Sequence, residues 1–346
     1  MANLIIQSTS MLGLFDWVVD NSLGNILKLI TSLFKLLGDL LIDCGALFVK
    51  GGLYAWNAMM TMSLSEVKKS PLSHAEAWFF VSRGSIYTTT MAVGSALLVT
   101  YFLIGWLKDS IDIRANFTLE NMFKLFIRLA ITAGLVANSS ALTFGITNTC
   151  VAITSTVSTP SNTTDTMKLA DDAFSGIKKN LEKEYKKADK KSNSDASLVN
   201  MKWFVVGFEA ILGGLAAMAI IMVSGVSILV TVLKRLFKVY MCIPFGPIAL
   251  AGFAGGQEMS STGITWLKTF IGYLMEAFVI AIAIALSYKL FKDMNFHFAP
   301  STSSNTNDSV VLMIQSLFNL CMPMACTAAC VKGADGVVRS CLGLGG

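Results

Sequence analysis

Five apolar runs, at 85–107, 122–157, 203–233, 264–290 and 309–331, are set apart by polar stretches. Each is at least as long as the roughly 20 residues an α-helix needs to cross a bilayer. Upstream, residues 22–48 follow a different pattern. Asn25, Lys28, Ser32, Lys35, Asp39 and Asp43 recur at steps of three or four, with Leu, Ile and Phe filling almost everything between. That spacing predicts an amphipathic helix with a narrow polar stripe. From Asn25 to Asp43 the stripe is about 27 Å long at 1.5 Å per residue, close to the hydrocarbon thickness of a membrane. Two arrangements fit: a helix in the interface or packed on neighbours with its stripe wet, or a span whose stripe faces a water-filled lumen in an oligomer, since charges facing lipid are expensive. Residues 49–84, with Gly51, Gly52, Trp56, Lys68, Lys69, Pro71, His74 and Arg83, are expected to form a loop with short interfacial helices.

Within the spans, polar and small residues mark special positions. Lys124 and Arg128, near the start of 122–157, can snorkel to the interface, and Asn138, Ser139 and Ser140 predict a kink or a polar packing face at its middle. Gly213, Gly214, Ala216, Ala217 and Ala219 give 203–233 a small-residue face for close helix packing. That run ends at Lys234, Arg235 and Lys238, which anchor its end on the cytoplasmic side. The stretch 239–256 is apolar but short, and Pro244 and Pro247 interrupt any helix; a re-entrant or broken segment buried among other helices is expected, rather than a complete crossing. Trp266 and Tyr288 are read as interfacial anchors near the two ends of 264–290, with Lys268 beside the first.

The whole then divides into an amphipathic and interfacial helical region at 1–84, a first membrane helix pair at 85–157, a Lys-rich hydrophilic region at 158–202, a membrane helical core at 203–331 and a flexible Gly-rich tail at 332–346. Counting back from the basic cluster puts 158–202 and 49–84 outside the cytoplasm. The fold class is all-α, a polytopic transmembrane protein with about five spans.

Composition supports this class. Of 346 residues 54% are hydrophobic and only 14% charged, against about 25% charged in soluble domains, and the mean hydropathy is +0.62. A net charge of +5 is too mild to imply nucleic acid as a direct ligand. Before Lys28 the only charges are Asp16 and Asp20, so no cleavable signal is expected. The seven cysteines are odd in number and sit mostly in apolar runs, which implies no disulfide framework. Cys326 and Cys330 share a helix face, but no His or acidic residue joins them at ligand spacing, and no metal or other cofactor is expected.

Catalysis has little support: His74 and His297 are isolated in loop regions, and no HExxH, GxSxG, P-loop or CxxC pattern occurs. Two carboxylates do fall inside spans. Glu276 lies ten residues beyond Trp266, near mid-membrane, and Glu209 six beyond Trp203, closer to one surface. A carboxylate there must face a partner or water, or take up a proton. Glu276 therefore either lines a hydrophilic path or bonds a neighbouring helix. The proline-broken stretch has no counterpart in the first half, which weakens alternating-access transport, although a small-solute transporter or channel stands as the alternative.

The stretch KRLFKVYMCIPFGPIALAGFAGGQEMSSTGITWLKTFIGYLMEAF joins a basic span end at Lys234 and Arg235, the Pro244 and Pro247 break, Gly255 and Gly256, and a Trp266 to Lys268 start of the next span. In this it resembles the TrbL-type polytopic subunits of type IV secretion and conjugation machines. The resemblance implies a non-enzymatic subunit of the cytoplasmic (inner) membrane complex with an outside N-terminus. Its partners would be other secretion subunits including ATPases, further copies of itself in a homo-oligomer, and single-stranded DNA or protein in transit. Glu276, Glu209, Pro244, Pro247 and the Asn25 to Asp43 stripe are the expected path or gate elements.

Overall fold

Apolar residues at helical spacing leave few of the described residues outside helices. The computed structural model describes residues 2–69, 71–111, 119–157, 193–293 and 308–343, with short helical pieces between 171 and 186; side chains of 2–28, 193–200 and 308–313, among others, lie outside the description. The described helices of six residues or more outside 171–186 are α1 (Ala2–Lys68), α2 (Ala75–Arg83), α3 (Ser85–Ile111), α4 (Leu119–Ala137), α5 (Ser139–Ser155), α6 (Asn193–Cys242), α7 (Gly246–Ala251), α8 (Gln257–Asp293) and α9 (Asp308–Cys341). No strand occurs among the described residues. Four helical stretches, Ala75–Lys108, Met201–Gly255, Met259–Ser287 and Leu317–Cys341, are long and apolar enough to cross a membrane. The pair Met122–Ala137 and Ser139–Ser155, bent by 68°, makes a fifth when counted as one.

The chain falls into two compact units. The first takes in Met1–Asn57, Asn162–Val223 and Met294–Met324. Its frame is a parallel pairing of α1 with α6 in which backbones touch. A methyl group on Gly38 would stand 2.7 Å from the Trp203 carbonyl oxygen, one on Gly207 2.7 Å from that of Gly38, and one on Gly214 2.6 Å from that of Gly45. Gly45 lies equally close to Ala210, and Gly52 meets Met218. Only glycine permits such an approach, and close approach is what holds helices together where lipid removes the hydrophobic incentive. The small-residue face expected on α6 is thus used, at Gly214 and Ala217; the matching heptad of glycines on α1 supplies the other side.

The second unit comprises Ala58–Ser161, Ser224–Asp293 and Ala325–Gly346. Its core gathers Leu98, Val136, Val239, Ile243, Leu250, Ala254, Trp266, Phe270 and Leu274 among others. The proline-broken stretch is its centre: Pro244, Pro247, Leu250 and Ala251 are all buried. The expectation of a buried broken segment holds, but the prolines do not turn the chain back. Each sits in the opening turn of a new helical piece, where no donor N–H is needed. The path continues through short 3-10 turns at Ile243–Phe245 and Gly252–Gly255, and it reverses only at Gly256, whose φ of +93° suits glycine. Helix α8 then runs back antiparallel. Arg235 bonds the Tyr273 carbonyl, the Trp266 indole N–H donates to the Cys242 carbonyl at 3.1 Å, and Gly246 lies under the Trp266 ring. Gly94 of α3 packs on the Pro247 backbone alongside.

The kink expected near 138–140 is the 68° bend. Asn138 closes the last turn of α4 through its side-chain amide to the Gly134 carbonyl at 3.0 Å. Ser139, Thr143, Thr147, Cys150 and Thr154 form the buried face of α5. The hydroxyls of Thr143, Thr147 and Thr154 bond their own helix three or four residues back, as Thr147 does to Thr143 at 2.7 Å, while Ser139 reaches the Val136 carbonyl and the Tyr87 hydroxyl, so a polar sequence makes a satisfied packing face.

Two stretches depart from expectation. Residues 49–68 are not a loop: α1 runs on to Lys68, with Val49, Leu53, Trp56, Met60, Leu64 and Val67 buried at steps of three and four. The helix stops at Lys68, and Pro71 opens the 3-10 turn Pro71–Ser73 that follows. The glycine-rich tail is helical as far as Cys341, because Val331, Ala334 and Val338 continue the buried stripe while Gly333 and Gly336 stay on the open side.

Candidate functional site

Five charged side chains converge inside the second unit. Arg235 and Lys238, three residues apart, share one face of α6; Tyr273 and Glu276 share the facing side of α8; Asp335 and Arg339 are one turn apart on α9. Lys238 Nζ stands 3.6 Å from Glu276 Oε2 and 3.3 Å from Asp335 Oδ2, with the Tyr273 ring centroid 5.3 Å away. Arg339 Nε reaches Asp335 Oδ1 at 3.2 Å. Arg235 donates from Nε to the Tyr273 carbonyl at 3.1 Å. Both Arg235 and Glu276 are only 2% exposed. One ammonium thus bridges two carboxylates from two helices, and a buried guanidinium stands by.

The cluster is incompletely satisfied. At 3.6 Å the Lys238 to Glu276 contact is an ion pair outside hydrogen-bond range, and Glu276 Oε2 has no hydrogen-bond partner among the described residues. A carboxylate so placed has a free lone pair inside a low-dielectric bundle, the condition under which a proton, a water or a shift of Lys238 changes the local energy most.

The other expected residues are distributed as follows. Lys234 is exposed, whereas Arg235 and Lys238 turn inward rather than anchoring the helix end at an interface. Trp266 is likewise buried, its ring stacked on Phe270 at 5.5 Å, while Lys268 is exposed. Lys238 is the partner that Glu276 finds. Glu209 is half-buried in the first unit, with Oε2 lacking a hydrogen-bond partner among the described residues. Along the α1 stripe, Asn25 and Lys28 lie outside the described side chains, and Ser32 bonds its own helix at Leu29. Lys35 sits 4.8 Å over the Trp203 ring, whose N–H donates to Asp39 at 3.0 Å. Asp43 pairs with Lys178 at 2.6 Å, and Lys50, further along, with Asp171 at 2.5 Å. Within this one chain Lys35 and Asp39 of the stripe are therefore engaged by Trp203 of α6, and Asp43 by Lys178. The site brings Glu276 together with the basic cluster and leaves Pro244 and Pro247 one to three turns further along the same helical path.

Sequence reasoning singled out Glu276 but not Asp335 or Arg339. The available signal was the repeated short spacing of charges on apolar helices: Arg235 and Lys238, then Asp335 and Arg339.

Long apolar helices, a buried proline-broken hairpin and charges closed up inside the bundle define a polytopic helical membrane protein. Residues 95–333 match the family described as TrbL/VirB6 plasmid conjugal transfer protein. The match covers well over half of the chain, which belongs to that family. No curated protein matches it.

Proposed function

We propose that this component of a conjugal transfer system is a non-enzymatic subunit of the cytoplasmic membrane, with its N-terminus outside, that assembles with further copies of itself around the route taken by single-stranded DNA or protein. Separate ATPases supply the force. In this reading the cluster of Arg235, Lys238, Glu276 and Asp335 is a clasp on the helices that border the route, the Pro244 to Pro247 segment is the element the clasp holds, and Glu209 with the α1 stripe is what the first unit would contribute.

The observation that carries this reading is the unsatisfied Glu276 oxygen beside a lysine shared with Asp335. Buried charge inside a membrane bundle is costly and marks ion pathways, relays and switching elements. A purely packed scaffold would be as stable with apolar residues there.

Deleting the gene from donor cells should abolish transfer of a marked mobile element, and restoring it in trans should recover transfer. Substituting Glu276→Gln should then lower transfer while the protein still inserts and accumulates in the membrane. Normal transfer from the deletion strain would overturn the assignment to the transfer apparatus and favour a small-solute channel, testable by flux into liposomes. Full transfer by the Gln variant would remove Glu276 from the mechanism. Crosslinking of DNA in transit separates a conduit from a scaffold, which should give no adduct.

A further inference from the structure

A groove of about 520 Å³ runs along α4 in the second unit, between Lys124, Arg128, Ile131 and Leu135 on one side and Phe253 and Gly256 on the other. Its two cations, Lys124 and Arg128, stand at one end, and Ser260 lines the opposite wall. Lys124 pairs with Glu120 on its own helix at 2.7 Å. No described carboxylate pairs with the Arg128 guanidinium, which comes within 3.6 Å of where a side chain on Gly256 would begin. Thr132, also in the wall, gives its hydroxyl hydrogen to the Arg128 carbonyl at 2.8 Å and offers no donor to the groove. Ile127, Ile131, Leu135 and Phe253 supply its apolar surface, and Ile127 and Ile131 are more than half exposed.

Length and polarity together identify the occupant. From Lys124 to Leu135 is about 16 Å at 1.5 Å per residue, about half of a bilayer core roughly 30 Å thick. A groove one leaflet deep, cationic at the mouth and apolar along its depth, complements an anionic phospholipid standing in its ordinary orientation. Arginine suits the phosphate because its planar fork gives two parallel hydrogen bonds.

We propose that this groove holds one anionic phospholipid, its phosphate on Arg128 with Lys124 in support, and its acyl chain along Ile131, Leu135 and Phe253. The site is independent of what the subunit helps to transfer. Gly256 serves it by reversing the chain beside the guanidinium.

The test uses the full-length protein in detergent, with thermal unfolding followed after adding phosphatidylglycerol, phosphatidylcholine or inorganic phosphate, and lipid retention read by native mass spectrometry. Phosphatidylglycerol should raise the unfolding temperature and be retained; phosphatidylcholine and phosphate should do neither. Arg128→Gln should reduce phosphatidylglycerol retention about fivefold or more, the effect of one cation near an anionic headgroup. Lys124→Gln should reduce it less, because Glu120 already draws on that charge. Ile131→Trp fills the apolar half and should lower retention with every charge in place, while Lys234→Gln, an exposed cation elsewhere, should leave it unchanged. Equal stabilisation by phosphatidylcholine overturns the headgroup assignment, and stabilisation by inorganic phosphate overturns the lipid. Undiminished retention by both Arg128→Gln and Ile131→Trp overturns the site.

Discussion

Removing the Lys238 ammonium while keeping its length, as in Lys238→Met, strands the Glu276 carboxylate and leaves Asp335 with Arg339 alone. At 3.6 Å from Glu276 and 3.3 Å from Asp335, an effective dielectric of about 20 gives about 4.6 and about 5 kcal/mol of Coulomb attraction. Desolvation of the ions offsets much of each. The Asp335 arm is worth less than the Glu276 arm, because its side chain is 33% exposed against 3% for Glu276. Breaking one side of a buried pair costs about 3–5 kcal/mol, and that is the expected loss for Lys238→Met. The double variant Lys238→Met with Glu276→Gln should recover much of it, leaving a coupling energy of about 2–4 kcal/mol between the two positions. Unfolding of the purified protein by dodecyl sulfate in mixed micelles, followed by helical circular dichroism, measures all three changes. A coupling below about 0.5 kcal/mol, the value for exposed pairs, would refute the argument, because the pair would then be behaving as if in water.

Two further outcomes follow from separate features. Gly45→Ala puts a methyl group into the Ala210 backbone, whereas the same change at Gly51 meets nothing within 4 Å; the first should lower stability by about 1–3 kcal/mol and the second raise it by up to about 1 kcal/mol, and equal thermal midpoints would count against the α1 and α6 contact. The Glu66 carboxyl is held below its ordinary value by the hydrogen bond from Lys69 at 2.9 Å, helped by His74 at 3.1 Å and opposed by burial. A depressed carboxylate stabilises the fold above its unfolded value of 4.5 and ceases to do so as pH falls through the lower folded value. The native protein should therefore lose up to about 1 kcal/mol more than Glu66→Gln between pH 5 and pH 3. Parallel pH profiles of the two proteins would show that the pair contributes nothing.

The helices were readable because a bilayer demands long apolar runs, and nothing else in the sequence competes with that signal. The bend at Asn138 and the burial of the Pro244 to Pro247 stretch were readable for the same local reason, since polar or proline positions inside apolar runs have few other uses. What escaped was pairing at a distance. Lys238 and Glu276 are 38 residues apart and meet only because the chain reverses at Gly256 and brings α8 back along α6; linear spacing cannot show which cation a mid-span carboxylate will find. The length of α1 was missed for a different reason. Trp56 and the methionines that follow suggest a headgroup layer, yet their spacing is that of a continuous buried stripe. The heptad of Gly38, Gly45 and Gly52 was in plain view, but a glycine reads as a seam only once Gly207 and Gly214 are placed against it.

That seam constrains how the gene can change length. Seven residues fall about 20° short of two whole turns, so α1 and α6 stay in register only by winding slowly round each other with a left-handed twist, each glycine meeting its opposite number once per step. Inserting one residue between Gly38 and Gly45 would rotate everything after it by about 100°, carry Gly45 and Gly52 out of the seam and bring bulky neighbours in. It would also swing Asp43 and Lys50 away from Lys178 and Asp171. The intervals 38–52 and 207–214, far apart in the reading frame, should therefore tolerate substitutions at outward positions but no single insertions or deletions.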